Sequence, residues 1–173
     1  MLAYVRNTYN DKQDPAGTAI GGSSFSGQGV LRIAFRHPII FATAASVAPG
    51  FPAVLKLEDW DISYFPTEVM SHHGARFRNP VDRACWRSTH PPTMVIDHAG
   101  ELRESGLQLL LEVGDEDANG NFGSAELLHR LLFDAAIEHD YHLHRGAAHV
   151  VHSKHWRSPG GVPICFQSTE PGY

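Results

Sequence analysis

Only two cysteines, Cys85 and Cys165, occur in the 173 residues, far apart and with no metal-type spacing around either. A disulfide framework is therefore not expected, and both read as buried thiols. Basic residues are also few, with 14 Lys and Arg against 19 Asp and Glu, a net charge of -5, and no Lys/Arg cluster. This leaves no electrostatic footprint for nucleic acid, so no nucleic-acid partner is expected. No stretch approaches the ~20 apolar residues needed to cross a bilayer, and the opening Met1-Leu-Ala-Tyr-Val-Arg6 lacks the basic start and apolar core of a signal peptide. The expectation is a cytoplasmic, non-exported protein with no membrane partner. Internal repeats and low-complexity tracts are missing too.

What remains is an ordinary globular composition, 42% hydrophobic and 19% charged. The length suits a single domain, residues 1–173, that buries roughly two-thirds of its extended surface.

Periodicity predicts a helix over 2–9, a short strand at Gly17-Thr-Ala-Ile20, a helix over about 27–37 stopped by His37-Pro38, and a strand over Ile40–Val47. From about 49 to 93 the pattern weakens into an irregular excursion rich in proline and aromatics, including Phe51, Trp60, Tyr64, Phe65, Phe77 and Trp86. Long excursions of this kind are often functional. Regularity returns with a short helix over Ile96–Ser105, a strand at Leu107–Val113, an acidic loop at 114–121, a helix capped by Ser124 and a final strand at Asp140–His144. Strands alternating with helices predict an α/β fold with a mostly parallel sheet flanked by helices.

In such sheets the loops that leave the carboxyl ends of the strands form the active face. Three loops there carry three chemical types. The first, Ile20-Gly-Gly-Ser-Ser-Phe-Ser-Gly-Gln-Gly29, lies between strand and helix and reads as a nucleophile elbow with Ser24 at its apex. Gly22 supplies the small residue two before the serine, but Ser26 stands where the usual G-x-S-x-G pattern has glycine. The second loop offers Asp115, Glu116 and Asp117; Asp117 is favoured because the chain must first leave the strand at Gly114. The third offers His149, set in a loop by Gly146-Ala-Ala, with His152 in reserve.

Near neutral pH a serine hydroxyl is a poor nucleophile. It needs a neutral imidazole to take its proton, and the imidazole needs a carboxylate to fix its tautomer. The order Ser, Asp, His along the chain meets that need. Twelve histidines are present, and His142 and His144 alternate onto one strand face. The sequence shows neither the ligand spacing nor the supporting groups of a metal centre, so no metal and no cofactor are expected.

The chain resembles the esterase family of α/β-hydrolases that includes enterochelin esterase-like proteins, S-formylglutathione hydrolases and feruloyl esterases. The resemblance rests on Ala19-Ile-Gly-Gly-Ser-Ser-Phe-Ser-Gly27 with Leu31-Arg-Ile-Ala-Phe-Arg-His-Pro38, on Leu111-Glu-Val-Gly-Asp-Glu-Asp117, and on Tyr141-His-Leu-His-Arg-Gly-Ala-Ala-His149. It covers about residues 2–157. It implies Ser24 as nucleophile, His149 as base, Asp117 as orienting acid, the Phe25 N–H as an oxyanion donor and a small-molecule ester as substrate. An inactive family member kept for binding or assembly is the alternative.

Family members carry, ahead of the elbow, further strands and the loop with the second oxyanion donor. This chain starts just before the elbow, so a truncated α/β-hydrolase fold is expected. One apolar edge of the elbow strand is then left to be covered by a second copy of the chain in a homo-oligomer, by a rearrangement, or by the amino-terminal helix.

Overall fold

A computed structural model describes residues 2–8, 14–60 and 82–149. Four strands, β1 (Ala19–Ser23), β2 (Thr43–Val47), β3 (Gln108–Gly114) and β4 (His139–His144), form one sheet in the order β1-β2-β3-β4. Every neighbouring pair is parallel. Among the described residues, five helices accompany them: α1 (Leu2–Thr8), α2 (Phe25–Arg36), α3 (Arg83–Arg87), α4 (Pro91–Glu104) and α5 (Asn121–Asp134). The parallel α/β arrangement expected from the sequence is thus present.

The main core lies on one face of the sheet. Val30, Leu31, Ala34 and Phe35 of α2, Met94, Val95 and Leu102 of α4, and Leu128 and Leu132 of α5 close over Ala44, Leu109 and Leu111. The spacings within each helix follow the 3.6-residue period, so each presents one apolar stripe to the strands. Leu31, Leu111, Leu128 and Leu132 are fully buried. Removing one of them down to alanine costs about 2–5 kcal/mol at sites of this kind. β3 is the most buried strand, hidden from its second residue onward, which accounts for its continuous apolar run.

Several boundaries differ from the sequence expectation. β1 starts at Ala19 rather than Gly17, because Pro15–Gly17 forms a 3-10 turn capped by Asp14, whose carboxylate accepts from the Gly17 N–H at 3.0 Å. The strand then runs through both glycines to Ser23, and α2 begins at Phe25 rather than 27. β2 is confined to Thr43–Val47, since residues 38–40 form a turn.

α4 begins five residues earlier than 96. Pro91 and Pro92 occupy its first turn, where a missing N–H costs nothing and the fixed φ favours the helix. The excursion therefore ends sooner than its prolines suggested. α5 starts at Asn121 behind a left-handed Gly120. Ser124 is not its cap; it lies within the first turn and donates its hydroxyl to the Phe51 carbonyl.

β1 stands at the edge of the sheet, with Ala19 and Gly21 exposed. α1 buries none of its residues, although Arg6 Nη2 donates to Thr18 Oγ1 at 2.8 Å just before the strand. Within α1, the apolar Leu2 and Val5 are half-buried.

Candidate functional site

Because β1 ends at Ser23 and α2 starts at Phe25, Ser24 alone makes the reversal from strand to helix. Its backbone has φ 55° and ψ -121°, a conformation that costs a non-glycine residue on the order of 1–3 kcal/mol and persists only where its surroundings fix it. The fixing contacts are visible. Ser24 N–H donates to Val47 O at 2.8 Å, and Ser24 O accepts from Gln28 N at 3.1 Å and Gly50 N at 3.3 Å.

The small residues around it have separate jobs. A Cβ on Gly22 would come within 2.9–3.0 Å of Ser26 C, O and Cβ. One on Gly27 would lie 2.9 Å from Ser46 Oγ and 3.0 Å from Val47 O. Gly27 thus lets α2 close on β2, while Ser26 is exposed and tolerates its side chain because Gly22 faces it without one. The serine at 26 is a permitted departure from the glycine pattern.

After β3, the acidic residues take three different positions. Asp115 accepts from Gly146 N at 2.6 Å and so ties its loop to the one that follows β4. Glu116 is exposed, but its N–H donates to Ala147 O at 3.0 Å. Asp117 is buried; one carboxylate oxygen accepts from Asn119 N at 2.8 Å and the other lies 2.8 Å from His149 Nδ1. Of the three candidates left open by the sequence, Asp117 is the one that reaches the histidine.

The far side of the same ring completes a relay, with His149 Nε2 lying 2.9 Å from Ser24 Oγ. A ring that donates Nδ1–H to the carboxylate leaves Nε2 as an acceptor for the serine O–H, the tautomer that general-base chemistry needs. Residues 24, 117 and 149, distant in sequence, are brought together; His152 lies outside the described residues. Phe25 opens α2, so its N–H points out of the positive end of the helix beside Ser24.

The sequence reading missed Asn121. Its buried side-chain amide is 3.2 Å from His149 Nδ1. The near atom is Nδ2, so with the Nδ1 proton given to Asp117 the Asn121 amide packs against the ring rather than accepting from it. Its only sequence signal was a place in the acidic loop, which named no partner.

Phe51 meets the His90 ring edge-on, and His90 stacks on Trp86. His90 is fully buried, its Nε2 lies 2.9 Å from Pro52 O, and burial lowers its pKa to about 4 against the raising effect of that bond. Of the aromatics in the excursion, Trp60 and Trp86 share a small cluster with Val54 and Leu57. Tyr64, Phe65 and Phe77 lie outside the described residues. Among the described residues, the one cluster of three metal-type ligands is Glu112, His142 and His144, none of them a member of this relay.

The Esterase family model matches residues 1–159. The chain belongs to the esterase family of α/β-hydrolases. Among solved structures, this esterase-family chain is similar to the fluorophosphonate-binding serine hydrolase F of Staphylococcus aureus, at 17% identity and TM-score 0.61, over 86% of this chain and 53% of that one. It is similar to an S-formylglutathione hydrolase from Agrobacterium tumefaciens, at 20% identity and TM-score 0.59, over 86% and 47%. A puromycin-hydrolyzing peptidase of Mycobacterium tuberculosis matches at 20% identity and TM-score 0.64, over 86% and 20%. At these identities the structural likeness establishes the fold. The chain spans about half the length of the first esterases it matches. A search of curated proteins finds no match.

Proposed function

We propose that this chain is a serine hydrolase that cleaves small carboxylic esters through an acyl-enzyme on Ser24. The observation that carries the reading is the unbroken relay Ser24 Oγ to His149 to Asp117, at 2.9 and 2.8 Å. Ser24 Oγ attacks the ester carbonyl as His149 Nε2 takes its proton, and the imidazolium that forms is held by Asp117. The tetrahedral oxyanion falls toward the amino-terminal end of α2, where the Phe25 N–H is the donor nearest in sequence. Collapse expels the alcohol, which takes the proton from His149. Water then attacks the acyl-enzyme by the same route, with His149 again as base. No cofactor enters these steps.

Ser24→Ala tests the assignment. Turnover of a short-chain nitrophenyl ester by the parent protein, lost in the variant, supports it; turnover retained by the variant overturns it.

A second reading follows from β1 being an edge strand: a family member that keeps the core for binding or assembly, with a second copy laid against that edge. Labelling with a fluorophosphonate separates the two. Stoichiometric modification of Ser24 supports the hydrolase, and a folded protein that takes no label supports the binding role.

A further inference from the structure

We infer that Glu112, His142 and His144 form a binding site for a divalent transition metal of the zinc class, on the sheet itself and separate from the Ser24 relay. Side chains alternate between the two faces along a strand. Leu109 and Leu111 belong to the main core and Val113 to its neighbour, with Tyr141 and Leu143 packed beside them. Glu112, His142 and His144 therefore point to the opposite face. The parallel register sets Glu112 directly beside His142, with His144 two residues on. Two strands thus deliver two imidazoles and one carboxylate to one spot, although 30 positions separate Glu112 from His142.

The distances fit coordination better than hydrogen bonding. His142 Nδ1 lies 3.6 Å from Glu112 Oε1, and His144 Nε2 lies 3.8 Å from Glu112 Oε2. Both exceed the ~3.2 Å limit of a good N–H···O bond. Ligand atoms held ~2.0–2.2 Å from a tetrahedral ion stand about 3.3–3.6 Å apart, so small side-chain adjustments close the shell. One ligand atom from each residue lies within 4.8 Å of the other two, and the imidazole planes are nearly perpendicular, at 82°.

Glu112 is largely buried, whereas the His142 and His144 side chains are 38% and 33% exposed. The carboxylate is anchored in the sheet and the rings face an approaching ion. Two imidazoles with one carboxylate select zinc, cobalt or nickel over magnesium and calcium, which prefer all-oxygen shells. Three protein ligands leave the fourth place to water. The bound ion would brace β3 to β4, the two strands whose following loops carry Asp117 and His149.

Tag-free protein titrated with Zn2+, and separately with Co2+ as a spectroscopic probe, tests the site. One ion per chain is expected, with a rise in thermal unfolding temperature that Mg2+ does not produce. His142→Asn with His144→Asn should weaken binding by more than about a hundredfold, since outer-shell changes alone cost about 10–100-fold. Glu112→Gln is the companion variant, and metal-free circular dichroism checks that each variant is folded. His149→Asn and the surface variant His98→Asn should bind like the parent. The inference is overturned if the parent binds no ion, if the folded double variant binds unchanged, or if His149→Asn alone abolishes binding.

Discussion

The two arms of the candidate site are held by opposite means. The serine arm is held by shape: Ser24 at φ 55°, Gly22 facing Ser26, and Gly27 against Ser46 and Val47. The acid and histidine arm is held by polar bonds. Asp117 receives Asn119 N and His149, Asp115 receives Gly146 N, and Glu116 N reaches Ala147 O. An arm fixed by volume fails when atoms are added to it. One fixed by hydrogen bonds fails when a partner loses its charge or its acceptor, with the packing intact.

The largest expected effect lies on the polar arm. Asp117→Asn keeps the shape but no longer holds the Nδ1–H tautomer, and ester turnover should fall by about 10⁴-fold, as in other Ser-His-Asp sites. Thermal unfolding and fluorophosphonate labelling of both proteins locate the loss. A fall in labelling rate with little change in unfolding temperature fits an arm fixed by polar bonds. A collapse of the fold would show that the carboxylate also carries packing.

Acid should loosen the packing around His90, in the segment that adjoins the serine arm. Gly50 N bonds Ser24 O, and Pro52 O is bonded by His90 in its neutral form. Burial holds the folded pKa of His90 at about 4, below its ordinary 6.5. The unfolded chain therefore binds more protons in this window, and the stability from neutral His90 is full above about 6.5 and lost as pH falls toward 4. At about 1.4 kcal/mol per unit, the loss is on the order of 3 kcal/mol. Urea unfolding at pH 7 and pH 5 captures about 2 kcal/mol of it, the part lost between 6.5 and 5. His90→Phe should flatten the dependence, and an equally steep variant would assign it to other groups.

How much of this was legible in the sequence follows the same division. The elbow was readable because a strand, a tight turn and a helix are adjacent in the chain, and each leaves a local pattern. Its bounds slipped by two residues because Pro15–Gly17 forms its own capped turn. Asp117 was favoured over Asp115 and Glu116 only because the chain must first leave the strand at Gly114, since the choice depends on how the loop after β3 meets the loop after β4. Asn121 and the placing of Glu112 beside His142 left no local trace; the first arises where the start of α5 meets the loop after β4, and the second from strand register, each joining positions about 30 residues apart. Pro91 and Pro92 misled for another reason, because proline breaks a helix interior yet favours its first turn.

A smaller effect is expected of Gly27→Ala. The new methyl would meet Ser46 Oγ and Val47 O at 2.9 and 3.0 Å, and the Val47 carbonyl is the one that already receives Ser24 N–H. Overpacking of this kind costs about 1–3 kcal/mol, partly offset by the better helix propensity of alanine. Chemical unfolding gives the net cost, which should be accompanied by slower labelling of Ser24, because the bond that fixes the elbow is pushed. Unchanged labelling in a destabilised protein would separate the packing from the site.

The smallest effect belongs to the residue that makes the motif irregular. Ser26→Gly restores the usual pattern, yet Ser26 is exposed and loses only a side chain that Gly22 already accommodates. Stability should change by no more than about 1 kcal/mol, the cost of a glycine in a helix, and the labelling rate should stay close to that of the parent. Nor should this change make room for Gly22→Ala. Two of the three close contacts that a Gly22 Cβ would make are to the backbone C and O of residue 26, at 2.9 Å, and glycine there keeps both atoms. The double variant should therefore be about as unstable as Gly22→Ala with Ser26→Gly added independently. A large rescue would mean that the serine side chain, and not the path of the helix backbone, sets the limit on the elbow.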